Sequence, residues 1–329
     1  MKKTFWGYVI LPLLTVILLV GPHSSMARDR MDSLDLEMNI GSRVDQFDWN
    51  IAGDSYGNNP NVLSELTWEN LEIAEVNGKG RLIMINNHAP FGGMAKVKVN
   101  YGEIQSGDNQ DSDYEFDNRI GEWSRSNNRA DDGSVFDFTT GAGLVFRSRS
   151  GKVMVSPLAG YSYHAQYLTI HDGYQTISLD NPFSTSTAYD PPPAGPFAGL
   201  DSTYDAVWNS GWIGVDLELS PARFLEIHGF VELHSAEYRA EANWNLRSDL
   251  EHPVSFKHES NEAAGVVTGI GAKFGNGPLL VNLDLLYQKW QAKDGIDIFY
   301  LNDGKTSTSL LNEVNWESFS VSAGLTVRF

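Results

Sequence analysis

The chain has 329 residues, with 42 acidic and 24 basic side chains, a formal net charge of −18 and no cysteine. Without cysteine there is no disulfide, no thiol nucleophile and no cysteine-ligated metal. The acidic balance argues against a nucleic-acid partner, which needs basic clusters, and it permits the attraction of cationic peptides.

The amino-terminal residues 1–27 have the pattern of a secretory signal peptide. Lys2 and Lys3 precede an apolar run from Trp6 to Val20, and small residues follow up to Ala27. This run of about fifteen residues is typical of a signal peptide, whereas a membrane-spanning helix needs about twenty; a signal anchor is the alternative. We therefore expect an exported protein with one mature domain, residues 28–329.

Most of the mature chain alternates apolar and polar residues with a period of two, which predicts β-strands. In "LLVNLDLLYQKWQA", Leu279 and Leu283 share one face, and Asn282 and Asp284 share the other. The runs predict ten strands, at about 34–49, 61–75, 79–105, 134–148, 152–174, 203–220, 223–244, 262–274, 278–300 and 316–329. Helix signals are scarce, so the fold class is all-β.

The connections alternate in length along the chain. Short turns at 147–152, 219–223 and 274–278 alternate with long polar segments at 107–134, 179–202, 245–261 and 301–315. Short periplasmic turns and long extracellular loops are typical of outer-membrane proteins. The chain also ends in "WESFSVSAGLTVRF", whose alternate residues up to Phe329 are apolar. We therefore predict a ten-stranded antiparallel transmembrane β-barrel in the outer membrane of a Gram-negative type of cell.

Two groups of side chains need an interpretation within such a barrel. The tryptophans are expected at the membrane interface or the barrel rim: Trp123, Trp208, Trp212, Trp290 and Trp316. The glutamates and histidines on one face of strand 223–244 are expected in a polar interior: Glu226, His228, Glu232 and His234. A barrel this narrow is expected to be filled by side chains, which makes a pore the weaker option.

The stretch "SGDNQDSDYEFDN" (106–118) carries five carboxylates, and three interpretations stay open. A run of charge is usually a solvated loop. Half of a hydrolytic active site is the second, because Asp111 and Asp113, at i and i+2 on a strand, point the same way. Calcium bound by Asp108, Asp111 and Asp113 is the third, although the loop lacks the spacing of a helix-flanked calcium loop.

Three motifs resemble the omptin family of outer-membrane barrels. They are "SELTWEN" (64–70), "FDFTTGAGLVF" (136–146) leading into "PLAGYSY" (157–163), and the acidic Asp111-Ser112-Asp113-Tyr114. The resemblance covers about residues 33–329 and implies a ten-stranded barrel, in many members an endopeptidase and in some an adhesin. It also implies that Asp111 and Asp113 hold a water molecule, opposite an Asp–His pair.

That Asp–His pair is not found in this chain. The expected positions are Asn243 and Asn245, or Ala242 and Trp244 in the other strand register. An asparagine amide cannot take a proton from water, and His252 lies about eight residues further along. The expected function is thus either an omptin-like surface endopeptidase with an unidentified base, or a catalytically silent adhesin, structural protein or ligand-binding protein.

The resemblance also implies a lipid partner. Tyr161 matches an outer-wall position that holds lipopolysaccharide in omptins, whereas Ala165 stands where an arginine is expected. The expected partners are outer-membrane lipid and extracellular peptides or host surface proteins. The protein is expected to be a monomer without a further cofactor.

Overall fold

The computed structural model describes residues 30–86, 90–183 and 190–329, so the predicted signal peptide lies outside the described residues. Residues Met31–Phe329 form one compact unit. The strands are β1 (Arg30–Ile51), β2 (Ser64–Asn86), β3 (Phe91–Phe116), β4 (Ile120–Arg129), β5 (Gly133–Arg147), β6 (Val153–Ser178), β7 (Gly195–Pro196), β8 (Asp201–Ala222), β9 (Leu225–Asn243), β10 (Phe256–Phe274), β11 (Leu279–Tyr300) and β12 (Thr306–Arg328). A 3₁₀ turn, Asp117–Arg119, separates β3 from β4. In the described part, no helix has the length and apolarity to cross a membrane.

All twelve strands belong to one antiparallel sheet, and ten of them form a closed ring. The order around the ring is β1, β2, β3, β5, β6, β8, β9, β10, β11 and β12, which pairs with β1 again. The prediction of ten strands therefore needs a correction to twelve. The additional strands are β4, which lies between β3 and β6, and the two-residue β7, which pairs with β6.

The apolar face of the ring points outward. In β11, Leu279 and Leu283 are 57% and 48% exposed, whereas Asn282 and Asp284 are buried. The same holds around the ring for Met38, Ile40, Ile213, Leu217, Leu233, Ile270, Phe274, Val321 and Leu325. A soluble protein buries its apolar face, so this inverted pattern is that of a surface surrounded by lipid.

A layer of aromatic rings fills the middle of the ring. Trp290 and Trp316 stack with ring centroids 5.8 Å apart, and Trp208 lies 5.8 Å from Trp290 and 6.3 Å from Trp316. The prediction that the tryptophans lie at the membrane interface is wrong, because each is 7% exposed or less: Trp123, Trp208, Trp212, Trp290 and Trp316. Trp123, on β4, lies near the rim but is buried there. Trp290 and Trp316 stand directly opposite one another in the β11–β12 register and share the inward face.

Ion pairs fill the interior between this layer and the short turns. Glu226, Glu232 and His234 are buried, which confirms the polar interior predicted for that face of β9. Lys96 bridges Glu232 at 2.8 Å and Asp216 at 2.7 Å. Buried charges are tolerated when they are paired in this way.

Short and long connections alternate as predicted, with one wrong boundary. The boundary between the second and third strands was predicted at 75–79. β2 instead continues to Asn86 and pairs with β3 along its whole length. Asn77 and Lys79, which read as turn residues in the sequence, line the interior of the ring.

Two predicted loops are strands in the structure. Residues 107–134 form the end of β3 and all of β4, so the acidic stretch is not a solvated loop. Residues 301–315 form a turn at Leu301–Lys305 and the first half of β12. Both hairpins extend the sheet beyond the outward apolar belt, at the end of the ring that carries the long connections.

Candidate functional site

A cavity of about 90 Å³ opens at the end with the long connections, and we call it the mouth cavity. Its polar lining residues are Ser64, Asp111, Asp113, Ser124, Ser126, Asn128, Gln175, Ser202 and Arg247. Its apolar lining residues are Trp49, Ile51, Leu66, Ile170, Phe197, Leu200, Trp244, Leu246, Phe256 and Phe299. The cavity thus brings a set of carboxyl, hydroxyl and amide groups together with an aromatic wall.

Asp111 and Asp113 lie on the inward face of β3, held between two strands. In the β2–β3 register Asp113 stands opposite Ser64, and in the β3–β4 register it stands opposite Ser124. Asp111 stands opposite Leu66 and Ser126 in the same registers. Two residues at i and i+2 on one strand point the same way, so the two carboxyl groups enter the cavity side by side, as the sequence predicted.

The surroundings of the two carboxyl groups raise their pKa values. Burial raises the pKa of Asp113 to about 6, although hydrogen bonds from Ser64 and Ser124 and the charge of Arg247 oppose the shift. Burial and the charge of Asp113 raise the pKa of Asp111 well above its usual range. With a pKa of about 6, Asp113 is mostly ionised at neutral pH. The two carboxyl groups share a site, so ionisation of one disfavours ionisation of the other.

The cation that faces this pair is Arg247, in the connection after β9. Its guanidinium lowers the pKa of both Asp111 and Asp113. It also donates two hydrogen bonds to Asp249, at 2.9 and 2.7 Å. A guanidinium stays protonated in proteins, so Arg247 binds anions and does not act as a base.

Neither of the two strand registers considered for an Asp–His pair places an acid or a base in the mouth cavity. Asn243 is a hydrogen-bond partner of His252, at 2.7 Å. Asn245 holds the chain before β8, accepting from the Asp201 amide and donating to the Gly199 carbonyl. Neither asparagine lines the mouth cavity. The inward positions of that strand register are Ala242, which is buried, and Trp244, which lines the cavity wall.

His252 does not replace the missing base. It is exposed at the rim and does not line the mouth cavity. His164 and His171 on β6 are engaged elsewhere, His164 with Asp137 and His171 with Asp131. No histidine lies among the residues that line the mouth cavity in the described part of the chain.

The aromatic wall was not anticipated from the sequence. Trp244 packs edge-on against Phe256 with ring centroids 4.8 Å apart, and Trp49 lies 5.9 Å from Phe256. Trp49 and Phe256 lie on the inward faces of β1 and β10. The alternation of inward and outward residues along these two strands could have predicted their direction. Trp244 follows the last residue of β9. Beyond the end of a strand the alternation of side-chain directions stops, so the sequence does not predict which way Trp244 points.

A buried histidine–carboxylate pair lies beneath this wall. His258 packs against Trp49 with ring centroids 4.7 Å apart, and its Nδ1 lies 2.8 Å from the Tyr204 hydroxyl. Its Nε2 lies 3.3 Å from Asp297, and both side chains are fully buried. Trp49 and Phe256 separate this pair from the mouth cavity, so it is not in contact with Asp111 or Asp113.

The three carboxylates of the calcium interpretation do not share a site. Asp108 is exposed and stands at an odd spacing from Asp111 and Asp113, so it points to the other face of β3. Within residues 30–86, 90–183 and 190–329 there is no group of three or more histidine or carboxylate side chains placed to hold a metal ion.

Tyr161, the predicted lipid contact, lies on the outer face of β6. It is 44% exposed, and its hydroxyl donates to Asn209 at 2.7 Å. The phenol group is therefore available to lipid on the outer wall of the barrel, away from the mouth cavity.

The closed antiparallel ring, its outward apolar belt and its polar, plugged interior define an outer-membrane β-barrel protein. The fold is similar to that of the outer membrane protease OmpT from Escherichia coli, with a TM-score of 0.68 and 13% identity over 90% of this chain and 97% of that one. A Pseudomonas aeruginosa FadL homologue covers 91% of this chain and 90% of its own at 10% identity, with a TM-score of 0.31. Ail, the attachment invasion locus protein of Yersinia pestis, covers 90% and 98% at 11% identity, with a TM-score of 0.22. At such scores these last two matches do not bear on the fold.

The family of this protein is identified by its sequence. The profile of Pom, the Protochlamydia outer membrane protein family, matches residues 37–329, and the chain belongs to that family. No curated protein matches the chain. The resemblance to omptins is therefore supported at the level of the fold, whereas the family that is shown is Pom.

Proposed function

We propose that this protein is a monomeric outer-membrane barrel that binds the cationic group of an extracellular peptide in its mouth cavity and does not cleave it. In this proposal the signal peptide directs export, the short turns face the periplasm and the long connections face the exterior. The observation that carries the proposal is the pairing of Asp111 and Asp113 with an aromatic wall, in a cavity without a histidine.

The chemistry of the cavity fits a cation. Asp113 is ionised near neutral pH, and its charge is only partly balanced, because Arg247 also pairs with Asp249 at 2.7 Å. The faces of Trp49 and Trp244 attract organic cations through their ring quadrupoles. The net charge of −18 raises the concentration of cationic peptides near the surface.

The described lining of the mouth cavity contains no histidine, which argues against hydrolysis by an Asp–His pair. Activation of water near neutral pH needs a group that can accept a proton. Arg247 and Trp244, which face the carboxyl pair, cannot do so.

One observation favours an endopeptidase as the second candidate. Two carboxyl groups that share one proton serve as general acid and base in aspartic proteases, without an imidazole. Asp111 and Asp113 form such a pair in a fold similar to that of an outer membrane protease. A protease of this kind needs the pair to hold one proton between the two carboxyl groups, so its activity would fall as the pH rises and both groups ionise.

The experiment separates binding from cleavage with matched variants. The full-length protein is refolded with lipopolysaccharide and titrated with a fluorogenic Lys- and Arg-containing peptide, following tryptophan emission for binding and dye release for cleavage. We expect saturable binding without cleavage between pH 5 and 8. Loss of a charge-assisted contact in Asp113→Asn should weaken binding about tenfold to hundredfold.

The control is Asp108→Asn, which removes the same charge from the opposite face of β3 and should leave binding unchanged. Cleavage that disappears in Asp111→Asn would establish the second candidate. Equal binding by the wild type, Asp113→Asn and Asp108→Asn would show that the mouth cavity is not the binding site.

A further inference from the structure

A second, larger cavity lies deeper in the ring, within the ionic part of the interior. Its volume is about 160 Å³, and we call it the inner cavity. Its charged lining includes Glu75, Lys98, Asp137, Glu232, Lys273 and Asp284. It does not share a lining residue with the mouth cavity, so an inference about it is independent of the function proposed above.

Most charges around the inner cavity are paired with one another. Lys273 lies 2.5 Å from Glu37, and Lys79 lies 2.7 Å from Asp284. Arg81 bridges Glu218 and Asp35 in the same way. Such pairing compensates for the cost of removing charges from water, so these residues are accounted for by the stability of the interior.

Two charges are left over on neighbouring strands. Glu75 on β2 is only 6% exposed, and Lys98 on β3 stands opposite Lys79 in the β2–β3 register. Both side chains line the inner cavity. Among the residues that the structure describes, neither makes an ion pair or a hydrogen bond with another side chain.

A third group at the same place also lacks a partner. Asn100 lies on β3 two residues from Lys98, and its amide donates to Asp137 at 2.9 Å. Its Oδ1 atom is buried and has no hydrogen-bond partner among the described residues. A buried acceptor without a partner is costly. Asn100 lies behind the lining of the inner cavity, whose wall itself presents one unmatched anion, Glu75, and one unmatched cation, Lys98.

We propose that the inner cavity binds a small zwitterion of the amino-acid class, with its ammonium on Glu75 and its carboxylate on Lys98. The β2–β3 register sets the two groups at different levels of the ring. Lys98 stands opposite Lys79, which is four residues from Glu75 on β2, a rise of roughly 13 Å along the strand. Both side chains are long and flexible and both line the cavity, so a small ligand held between them can contact one charge at each end.

The charge balance of the cavity favours a zwitterion over a simple ion. Its lining has seven carboxylates (Glu37, Glu75, Asp137, Asp216, Glu218, Glu232 and Asp284) and five cations (Lys79, Arg81, Lys96, Lys98 and Lys273). A lone anion would pair with Lys98 and add to the excess of negative charge. A lone cation would pair with Glu75 and leave Lys98 without a partner. A zwitterion pairs both and does not change the net charge.

The test compares three small molecules of similar size. The full-length protein is refolded in the presence of L-alanine, L-lactate or ethylamine, so that entry into the finished ring does not limit binding. Refolding is repeated over a range of concentrations of the radiolabelled molecule, and the amount retained per chain after gel filtration gives the affinity. We expect one L-alanine per chain, with at least tenfold weaker binding of L-lactate, which lacks the ammonium, and of ethylamine, which lacks the carboxylate.

Matched variants assign the site. Glu75→Gln and Lys98→Met remove the unpaired charges with little change in volume, and each should weaken L-alanine binding at least tenfold. Glu317→Gln and Lys289→Met remove an exposed pair on the outer surface, 3.7 Å apart, and should leave binding unchanged.

The melting temperature of each variant, measured without ligand, shows that the ring has formed. L-lactate or ethylamine binding as tightly as L-alanine would overturn the proposal. So would the absence of bound L-alanine in the folded wild type, which would leave water as the content of the inner cavity.

Discussion

The guanidinium of Arg43 on β1 donates to the carboxylate of Asp137 on β5 at 2.7 Å, and so connects two strands that are not neighbours in the ring. Arg43 also binds Asp45, and it lies 5.3 Å from the Trp316 ring. Arg43 is 2% exposed and Asp137 is 8% exposed. The pair therefore holds the interior together from the inside, in addition to the hydrogen bonds between strands.

Removal of this arginine should destabilise the protein strongly. Arg43→Met leaves Asp45 and Asp137 buried without their cation, which costs about 3–5 kcal/mol. The free energy of unfolding, measured by urea titration in lipid vesicles, checks this. The control is Arg239→Met, whose exposed pair with Glu237 spans 3.8 Å and contributes about 1 kcal/mol or less. Similar losses in both variants would contradict the proposed role of Arg43.

The raised pKa of Asp113 predicts a pH dependence of stability. The pKa of Asp113 is about 6 in the folded protein, against an ordinary value of 3.8 for an exposed aspartate in the unfolded chain, so the folded protein holds the proton more tightly. Stability is unaffected by Asp113 below pH 3.8, falls as the pH rises toward 6 and stays lower above it. The full effect is at most about 3 kcal/mol.

Urea titrations of the wild type and of Asp113→Asn between pH 4 and 8 measure this effect. The variant should lose the decline between pH 4 and 6 relative to the wild type, and Asp108→Asn should keep it. An identical pH profile in the wild type and Asp113→Asn would show that the carboxyl group is not shielded in the mouth cavity.

The aromatic layer depends on one glycine. A Cβ atom at Gly265 would lie 2.4 Å from the ring of Trp290. The ring cannot withdraw freely, since it stacks on Trp316 on its other side. Gly265→Ala should therefore lower the free energy of unfolding by about 1–3 kcal/mol, the usual cost of overpacking.

The matched control for that variant is Gly211→Ala, on β8. Its Cβ atom would have no other atom within 4 Å, so its stability should change little. A loss in Gly265→Ala no greater than in Gly211→Ala would mean that the indole layer is loosely packed.

Calcium should not bind to the acidic stretch of β3. Asp108 points away from Asp111 and Asp113, so the three carboxylates cannot coordinate one ion. Titration with millimolar CaCl₂ should leave tryptophan emission and the melting temperature unchanged. A calcium-dependent rise in melting temperature that disappears in Asp113→Asn would restore the calcium interpretation.

The sequence predicts the class of fold because the membrane imposes a simple rule on every strand. Residues such as Leu279 and Leu283 face lipid, and Asn282 and Asp284 face the interior. Apolar and polar residues therefore alternate with a period of two in every part of a strand that crosses the outward apolar belt. The alternation of short and long connections follows from the same signals. These parts of the fold could be read from the residues alone.

The wrong strand boundaries arise where the two faces of a strand do not differ clearly in polarity. In β2, Asn77 and Lys79 belong to the polar interior, yet asparagine, glycine and lysine together are also typical of a turn. In residues 107–134 the strands extend beyond the outward apolar belt. Both of their faces carry polar side chains there, so apolar and polar residues no longer alternate in the sequence. The tryptophans failed for the opposite reason, because Trp290 and Trp316 pack with each other inside the ring and not with lipid.

The candidate site was half predictable. Asp111 and Asp113 were singled out by the resemblance to omptins, and their i, i+2 spacing fixes a common direction once they lie on a strand. Arg247 was not, because its position depends on the path of the connection after β9 and on its pair with Asp249. Sequence spacing carries no information on such a contact across the ring.

The stacked indoles of Trp208, Trp290 and Trp316 divide the inside of the protein into two compartments. The mouth cavity lies on one side of these indoles and the inner cavity on the other, and the two share no lining residue. A molecule bound in one compartment therefore cannot pass through the middle of the ring to the other unless the tryptophan rings move.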